Sequence, residues 1–441
     1  MTDCPRNVLL ITIDSLRYDT VDPLERLSLS DPLRFEKAFA TGPGTSPSFP
    51  GILTGTLPLS HGGLGPLTEG RPMLAEHLQD AGFATGGFQC NPFLSKHFNY
   101  DRGFDIFEDY QHPLMGVATK LFPRGIELDG RLGAIDDILH LTDAIKWTYQ
   151  LVAGKPRPYV SAEVVTDDAV EWLAGASEPF FCWAHYMDVH HPCFPPREYR
   201  ADHGVADIEQ ADVAESYSAL VSDPGALTTA QLADLEALYH AAIDYTVDQT
   251  DRLIERLRDD GRLDETLVVV TSDHGELFGD HGQYGKPERL YDELLRVPLW
   301  VTNGPDHLED ATDDLVSLLD VPPMIHDALE IDIPSAYEGR RPGVGDPREY
   351  VLAEHAVEDE VIVGARSAAW LYEADEIRDE HRLFDLREGF EHVAADAEGE
   401  GPARVRRIVR NRLDVLDVEA TQLAEEVEGD VESRLEDLGY L

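Results

Sequence analysis

A short apolar segment that runs directly into an Asp-His pair constrains the fold more than any other feature of this sequence. Residues Leu267–Thr271 are apolar or β-branched and are followed by Ser272, Asp273, His274 and Gly275. An apolar run of this length, bounded by Ser, Asp and Gly, is typical of a core strand in a parallel sheet. Open α/β sheets bind ligands at the carboxyl ends of their strands, so the carboxylate and the imidazole are predicted to be adjacent metal ligands. This segment alone leaves a second interpretation open, an Asp/Gly turn with an incidental histidine.

Strand-like and helix-like segments alternate along the first three quarters of the chain. The predicted strands are Val8–Ile13, Phe83–Phe88, Phe180–His185, Leu267–Thr271 and Val297–Val301. The predicted helices are Met73–Ala81, Ser161–Ala174, Thr229–Asp260 and Asp314–Ala328. This alternation predicts a layered α/β domain around a largely parallel central sheet.

The pattern changes after Pro334, where short strands come first and helices follow. The strand candidates are Tyr350–Glu354, Val361–Ala365, Ala369–Tyr372 and Arg382–Asp385, and the helix candidates are Ala403–Val415 and Val431–Leu438. The order predicts a main domain over residues 1–334 and a smaller α+β C-terminal subdomain over residues 335–441. Two polar stretches broken by Pro and Gly, at about 111–160 and 197–228, are predicted to be lids or insertions.

The charge balance excludes several classes of partner. The 441 residues include 85 acidic and 36 basic side chains, a formal net charge of −49, and only six of the basic residues are lysine. Such an acidic surface would repel nucleic acid and anionic lipid, so neither is expected as a partner. A content of 42% hydrophobic residues argues against disorder. The surplus of Asp and Glu resembles proteins of salt-loving archaea, in which multimolar salt screens the self-repulsion.

No segment predicts export or a membrane span. The apolar run Val8–Ile13 is six residues, and no later stretch reaches the roughly 18 apolar residues that a spanning helix needs. The four cysteines (Cys4, Cys90, Cys182 and Cys193) are widely spaced. They are predicted to be buried thiols of a protein in a reduced cytoplasm.

Two segments near the N-terminus carry groups that could join the Asp-His pair. Asp14 follows the first predicted strand, where it could face the same crevice or cap the next helix. Thr45 lies in a Gly- and Pro-rich segment, just before a helix that is predicted to be capped by Ser46 and to begin at Pro47. The free N–H groups of a helix start favour an anion, and a hydroxyl close to a metal there could become an alkoxide nucleophile. An ordinary loop-to-helix cap is the alternative.

A pair of histidines, His190 and His191, is carried from a predicted strand into a loop closed by prolines. Either imidazole could protonate a leaving group or contact an oxyanion. His185 and Tyr186, which come earlier in the same segment, are expected to pack within the strand.

Together these segments resemble the sulfatase family of the alkaline phosphatase superfamily. The matching motifs are NVLLITIDSLR (7–17), GTSPSFPGILTGTLPLSHG (44–62), HYMDVHHP (185–192), LVVVTSDHGELFGDHGQYGK (267–286) and RVPLWV (296–301), with weaker agreement through RLFDL (382–386). They occur in the family's order and cover most of residues 5–305. The resemblance implies an alkaline-phosphatase-like fold. It also implies a metal-centred site that hydrolyses sulfate or phosphate esters through a covalent intermediate on the protein.

The resemblance assigns roles at the centre of this site. Asp14, Asp273 and His274 match the family's metal ligands. Thr45 matches the nucleophile, which would also touch the metal.

The resemblance also assigns residues to the substrate. His190 matches the histidine at the substrate or leaving group, and Lys286 matches the lysine on the substrate's charged oxygens. Asn91 resembles a polar substrate contact of the phosphonate monoester hydrolase branch. The implied partners are small-molecule or glycan esters of sulfate or phosphate.

Several residues depart from the family's usual pattern. Thr45 replaces the Cys or Ser that is oxidised to formylglycine, and no formylglycine is expected because the extra methyl group of threonine would leave a ketone. Phe49 replaces the arginine of the same motif, and Ser15 replaces the second acid of the Asp-Asp pair. An unmodified alkoxide nucleophile is commoner in the phosphatase, phosphodiesterase and phosphotransferase branches.

One divalent metal ion is predicted. His274 stands where calcium-using sulfatases often have Asn, and one imidazole with two carboxylates suits Zn²⁺ or Mn²⁺ better than Ca²⁺, which prefers oxygen ligands. Asp188, His191 and His281 are candidates for a second metal, but their spacing is not convincing.

The leading interpretation is a metal-dependent hydrolase of sulfate or phosphate esters. A transferase of phospho-headgroups stays open, although its relatives are normally membrane-anchored. A degenerate member that binds an anion without turnover also stays open, because the usual arginine and second Asp are missing.

Overall fold

The structure is a computed structural model that describes residues 5–110, 159–357, 360–387 and 389–416. Its strands are β1 (Asn7–Ile13), β2 (Leu33–Arg34), β3 (Lys37–Phe39), β4 (Ala84–Phe88), β5 (Ile106–Glu108), β6 (Phe180–Tyr186), β7 (Thr266–Ser272), β8 (Leu277–Phe278), β9 (Tyr284–Gly285), β10 (Arg296–Val297), β11 (Leu299–Thr302), β12 (Leu315–Ser317), β13 (Tyr350–Val357), β14 (Glu360–Ser367), β15 (Trp370–Asp375), β16 (Glu380–Asp385) and β17 (Glu391–Val393). Its α-helices are α1 (Thr45–Thr54), α2 (Leu74–Asp80), α3 (Ala162–Gly175), α4 (Arg197–Asp202), α5 (Gln210–Ser222), α6 (Thr229–Asp259), α7 (Asp292–Leu295), α8 (Val321–Ala328) and α9 (Glu400–Leu413).

A seven-stranded sheet in the order β2-β11-β7-β1-β6-β4-β5 forms the centre of the molecule. β1 pairs in parallel with β6 on one side and with β7 on the other. β4 and β5 extend the parallel arrangement beyond β6, while β11 runs antiparallel to β7. The predicted layered α/β domain with a largely parallel sheet is therefore confirmed.

The central strand β1 has no polar face because helices cover both of its sides. Val8 and Leu10 pack in one apolar cluster with side chains of α1, α2 and α8. Leu9 and Ile11 point the other way and pack with side chains of α3 and α6. All four side chains are fully buried. A strand that is buried on both faces has a continuous apolar sequence, which explains why β1 and β7 lack an alternating pattern.

The long helix α6 confirms the predicted helix Thr229–Asp260 and reaches the loop after β1. At its start, the Thr228 hydroxyl accepts a hydrogen bond from the N–H of Gln231, whose side chain accepts one from the N–H of Thr228. This capping box satisfies N–H groups that have no partner within the helix. Further along, the Tyr239 hydroxyl donates to the carbonyl of Ser15 at 2.7 Å.

Two predicted elements are divided in the structure. The predicted strand Val297–Val301 is two strands, β10 and β11, in different sheets. Pro298 separates them because it has no N–H group for a strand ladder. The predicted helix Asp314–Ala328 begins as strand β12, which pairs with β3, and α8 starts only after a capping box formed by Ser317 and Asp320.

The C-terminal part of the described chain is a five-stranded antiparallel sheet, β13 to β17 in sequential order. The four predicted strands correspond to β13–β16, and β17 was not predicted. The helix predicted at Ala403–Val415 is α9, which packs Val405 and Val409 against this sheet. The domain boundary near residue 334 stays a prediction. Helices α4 and α5 fall within the predicted insertion at 197–228, whereas most of the insertion at 111–160 and the predicted helix Val431–Leu438 lie outside the described residues.

The three cysteines in the described part of the chain are buried thiols, as the sequence predicts. Cys90, Cys182 and Cys193 are buried and form no disulfide, while Cys4 lies outside the described residues. None of the helices that the structure describes is long and apolar enough to cross a membrane.

We expect salt to stabilise this fold strongly. The net charge of −49 repels itself, and raising KCl from about 0.1 M to about 1 M shortens the screening length from roughly 10 Å to roughly 3 Å. Thermal unfolding followed by circular dichroism should give a melting temperature that rises over this range. Sucrose at matched osmolality, which does not screen charge, serves as the control. A melting temperature that is constant or falls with KCl would contradict the salt-loving origin inferred from composition.

Candidate active site

Five of the seven predicted site residues lie at the carboxyl ends of four neighbouring parallel strands. Asp14 follows β1, Asp273 and His274 follow β7, and Asn91 and His190 lie in the loops after β4 and β6. These four strands are consecutive in the sheet, in the order β7-β1-β6-β4. The polar residues that follow these strands therefore lie at the same end of the sheet, which is where α/β sheets bind ligands.

Asp14, Asp273 and His274 form the only cluster of potential metal ligands found among the described residues. All three are buried, and their ligand atoms lie within 4.8 Å of one another. Nε2 of His274 is 3.7 Å from Oδ1 of Asp14 and 3.5 Å from Oδ2 of Asp273. The three side chains thus converge as the ligands of a single cation would.

The imidazole of His274 is oriented by the adjacent backbone. Its Nδ1 lies 2.8 Å from the carbonyl of Gly275, so Nδ1 carries the proton and donates it to that oxygen. Nε2 then presents its lone pair to the two carboxylates, which is the usual arrangement of a metal-binding histidine. Gly275 is needed here because a Cβ atom at this position would lie 2.0 Å from the carbonyl oxygen of Glu293.

The donor set fits a divalent cation. Oδ1 of Asp273 accepts hydrogen bonds from the N–H groups of Ser15 and His274, at 3.2 and 3.0 Å. Its Oδ2 is buried and has no hydrogen-bond partner in the described part of the chain. Burial, and then the charge of Asp14, raise the pKa of Asp273 to about 7. A bound cation would reverse this repulsion and satisfy the unpaired oxygen.

Buried charges around Asp14 set the protonation state of the site. Burial alone would raise the pKa of Asp14, but His190, followed by His185, His274 and Lys286, outweighs burial and holds that pKa well below its usual value. Burial, and then the charge of Lys286, lower the pKa of His274 and the pKa of His190 to about 4. Near neutral pH the Asp14 carboxylate is therefore charged and these two imidazoles are neutral.

Thr45 is the first residue of α1. The helix begins two residues earlier than predicted, with Gly44 as the N-cap residue, so the predicted start at Pro47 was wrong. Because no N–H group in the first helical turn has a partner within the helix, proline is tolerated at the third position as well as the first. Oγ1 of Thr45 lies 3.3 Å from Oδ2 of Asp14 and 3.4 Å from Nε2 of His274. The hydroxyl thus lies at the helix start and beside the cluster of ligands.

Asn91 links the hydroxyl to the carboxylate. Its Nδ2 is 3.1 Å from Oδ2 of Asp14 and 3.4 Å from Oγ1 of Thr45. Its Oδ1 accepts a hydrogen bond from the N–H of Phe93 at 3.0 Å, which fixes the orientation of the amide. The amide group therefore donates into the crevice.

Lys286 and His190 lie beside the cluster. Nζ of Lys286 is 3.5 Å from Oγ of Ser15, and Ser15 in turn donates to Oδ1 of Asp14 at 2.7 Å. Nδ1 of His190 is 2.6 Å from the carbonyl of His191, so Nε2 is the ring nitrogen left for other contacts. The structure therefore brings the other six predicted site residues close to Asp14, including His190, whose charge acts on the Asp14 carboxylate.

The candidates for a second metal do not converge. Asp188 accepts a hydrogen bond from the first N–H of α3. The ring of His191 stacks on Tyr217 at 4.8 Å, and His281 pairs with Glu293 at 3.0 Å. Each of these side chains has a structural partner outside the cluster.

Sequence reasoning missed part of the role of His185. It packs within β6, as predicted, but its Nε2 also lies 3.5 Å from Oδ2 of Asp14. Phe49, which stands where the family has arginine, packs edge-on against the His185 ring at 4.9 Å. The strand pattern gave no sign of this, because a buried histidine looks the same whether or not it faces a carboxylate.

Sequence reasoning also missed Glu276 and Tyr217. Glu276 is fully buried next to the cluster, with Oε2 4.0 Å from Nζ of Lys286. Its position directly after Gly275 is the signal that could have identified it. Tyr217 comes from α5, inside the predicted insertion; its ring stacks on His191 at 4.8 Å, and no motif marks it.

Comparison with known proteins identifies the family. The family model described as Sulfatase matches residues 6–331, so this chain belongs to the sulfatase family. The uncharacterized sulfatase YidJ of Escherichia coli (strain K12) is 24% identical over 340 residues, covering 70% of this chain and 62% of that protein. An arylsulfatase of Clostridium perfringens is 23% identical over 370 residues, covering 76% of each chain. An arylsulfatase is an ester hydrolase, and this agrees with the predicted enzyme class, a hydrolase acting on ester bonds.

Solved structures confirm the fold. A putative sulfatase from Bacteroides thetaiotaomicron aligns with a TM-score of 0.64 at 17% identity, over 95% of this chain and 93% of that chain. The phosphonate monoester hydrolase of Silicibacter pomeroyi aligns with a TM-score of 0.62 at 22% identity, over 93% of this chain and 94% of that chain.

Removing a carboxylate from the cluster is expected to remove the metal. We expect Asp273→Asn to lower the affinity for Mn²⁺ or Zn²⁺ by at least about tenfold, since a ligand and its charge are lost. Metal content after dialysis and the gain in melting temperature on adding metal measure the effect. Asp188→Asn, which alters a buried carboxylate outside the cluster, should keep its metal. Full metal content in Asp273→Asn would contradict the assignment.

Proposed function

We propose that this protein is a metal-dependent hydrolase of sulfate or phosphate esters with Thr45 as its nucleophile. The observation that supports this best is the position of Oγ1 of Thr45, within 3.4 Å of both Asp14 and His274 at the start of α1. Asp14, Asp273 and His274 would hold one Mn²⁺ or Zn²⁺ ion. When bound, this ion supplies Lewis-acid stabilisation of an alkoxide and of the charge on the transferred group.

The reaction proceeds in two displacements. Oγ1 of Thr45 releases its proton to solvent and forms a bond to sulfur or phosphorus, while the bond from that atom to the ester oxygen breaks and His190 protonates the departing oxygen. Water then attacks the same atom, the bond to Oγ1 breaks, and Thr45 recovers a proton. The inorganic anion and the alcohol are the products. An unmodified threonine makes the second displacement necessary, because the ester on Oγ1 is stable without an attacking water.

His190 is the residue that donates a proton to the leaving group. Since Nδ1 donates to the backbone, Nε2 is the nitrogen that accepts a proton and passes it to the departing oxygen. The imidazole is neutral in the free protein, and an anionic substrate beside it favours the protonated form. Substrate binding thus prepares His190 as an acid.

The remaining polar groups stabilise the negative charge on the oxygens of the transferred sulfo or phospho group. Lys286 and the free N–H groups at the start of α1 offer positive charge and hydrogen bonds to its equatorial oxygens. Asn91 donates to the same region from its fixed amide. Such preorganised charge is the main catalytic contribution in transfers of this kind.

The Thr45 hydroxyl is expected to be essential for turnover. We expect Thr45→Ala to lower kcat by about 10³-fold or more on the best of three substrates, an aryl sulfate, a phosphate monoester and a phosphate diester. The assays use high salt with added Mn²⁺ or Zn²⁺. Thr45→Ser, which keeps a hydroxyl, should retain measurable activity. Full activity in Thr45→Ala would contradict the mechanism, and a metal-loaded wild type that turns over none of the substrates would favour a non-catalytic anion-binding protein.

The side chain at position 45 is expected to remain threonine. Peptide mass spectrometry of the purified protein should show an unmodified residue, because threonine cannot become formylglycine. After acid quenching during turnover, the same peptide should carry the sulfo or phospho group. An adduct on a different residue would exclude Thr45 as the nucleophile.

A further inference from the structure

Glu276 is a buried carboxylate that the proposed reaction does not use. Its side chain is fully buried, and neither carboxylate oxygen has a hydrogen-bond partner in the part of the chain that the structure describes. The partner cation is Lys286, whose Nζ lies 4.0 Å from Oε2. Buried carboxylates are normally hydrogen-bonded or tightly paired, so one held this loosely calls for a functional explanation.

Lys286 lies between Glu276 and the crevice. On one side Nζ faces Glu276, and on the other it is 3.5 Å from Oγ of Ser15, which hydrogen-bonds to Asp14. Both contacts of the ammonium group are long. Its donors are therefore available to a substrate, while its position is bounded on two sides.

Lys286 is the charged group through which Glu276 reaches the substrate side of the site. The carboxylate oxygens of Glu276 are closed to solvent, whereas 21% of the Lys286 side chain is exposed, so a substrate reaches the lysine and not the carboxylate. Arg17 does not neutralise Glu276 either. Its guanidinium pairs with Asp19 and Asp280, and it contacts only the backbone carbonyl of Glu276.

We propose that Glu276 is a positioning residue that holds the Lys286 ammonium group toward the oxygens of the transferred sulfo or phospho group. This inference rests on the proposed function. The carboxylate fixes the direction of the ammonium group and opposes tight binding of an anion in the ground state. Lys286 then stabilises the transition state more than it stabilises the bound substrate, and this difference raises kcat.

Glu276→Gln separates this role from a purely structural one. The substitution keeps the shape and removes the charge. We expect kcat to fall about tenfold, while inorganic phosphate or sulfate inhibits more strongly than before. The melting temperature should change little, because the Lys286 side chain is 21% exposed and water can solvate the ammonium group that loses its partner. A joint fall in kcat, anion affinity and melting temperature would overturn the proposal.

A double-mutant cycle with Lys286→Met tests whether the effect passes through the lysine. The effects of Glu276→Gln on kcat and on phosphate binding should disappear in the Lys286→Met background. If they persist there, Glu276 acts independently and the inference is wrong. Should Glu276→Gln fail to fold, Glu276→Asp takes its place in the cycle, with a smaller loss expected and the same criterion.

Failure of the proposed function would look different. It would appear as full activity in Thr45→Ala, or as a wild type with no turnover. If the wild type shows no turnover, the double-mutant cycle uses phosphate binding as its only readout. Binding is then measured by the shift in melting temperature on adding phosphate. Glu276→Gln should then strengthen phosphate binding only when Lys286 is present, and equal binding in all four proteins would overturn the inference.

Discussion

Two buried carboxylates at the ends of adjacent strands are the constraint on which the rest of the site depends. The parallel register pairs Ile13 of β1 with Ser272 of β7, so the next residues, Asp14 and Asp273, are neighbours. Both carboxylates are buried at the carboxyl ends of central strands, where the local dielectric constant is low. Two negative charges in such a place repel each other strongly. His274 presents a lone pair to the same point and offers no charge to offset them. A cation between the three groups would resolve this conflict, and it would lie beside Thr45 in the first turn of α1.

Two residues that depart from the usual family pattern, Phe49 and Ser15, lie next to this cluster or to a residue that faces it. Phe49 takes the arginine position and packs against His185, whose ring faces Asp14. Ser15 takes the position of a second acid and adopts a φ of 59°, in the left-handed region that non-glycine residues seldom occupy. That backbone conformation accompanies an N–H directed at Asp273 and a hydroxyl that lies between Asp14 and Lys286. The site thus carries one fewer acid and one fewer cation than the family pattern, with uncharged groups at both positions.

The sequence was sufficient for features that depend on local pattern. The doubly buried strands β1 and β7 were visible as apolar runs, and the Asp-His pair at the end of β7 followed from them. The helix predicted over Thr229–Asp260 matches α6, Thr229–Asp259, to within one residue. These features need no knowledge of distant contacts.

Features that depend on contacts between distant segments could not be predicted. The contact of His185 with Asp14 joins residues 171 positions apart, and no pattern within β6 records it. The start of α1 was placed late because proline fits several positions of a first turn. Strand β12 was read as helix because a few apolar residues before a helix suit either structure, and its pairing with β3 decided the outcome.

The central claim is that Asp14, Asp273 and His274 hold one metal ion beside Thr45. Anomalous diffraction from crystals grown with Mn²⁺ tests it most directly, because it locates the ion without reference to activity. The account predicts a single strong peak bounded by these three side chains, with Oγ1 of Thr45 beside it. A peak at another group of side chains, or no peak between the two carboxylates, would contradict it.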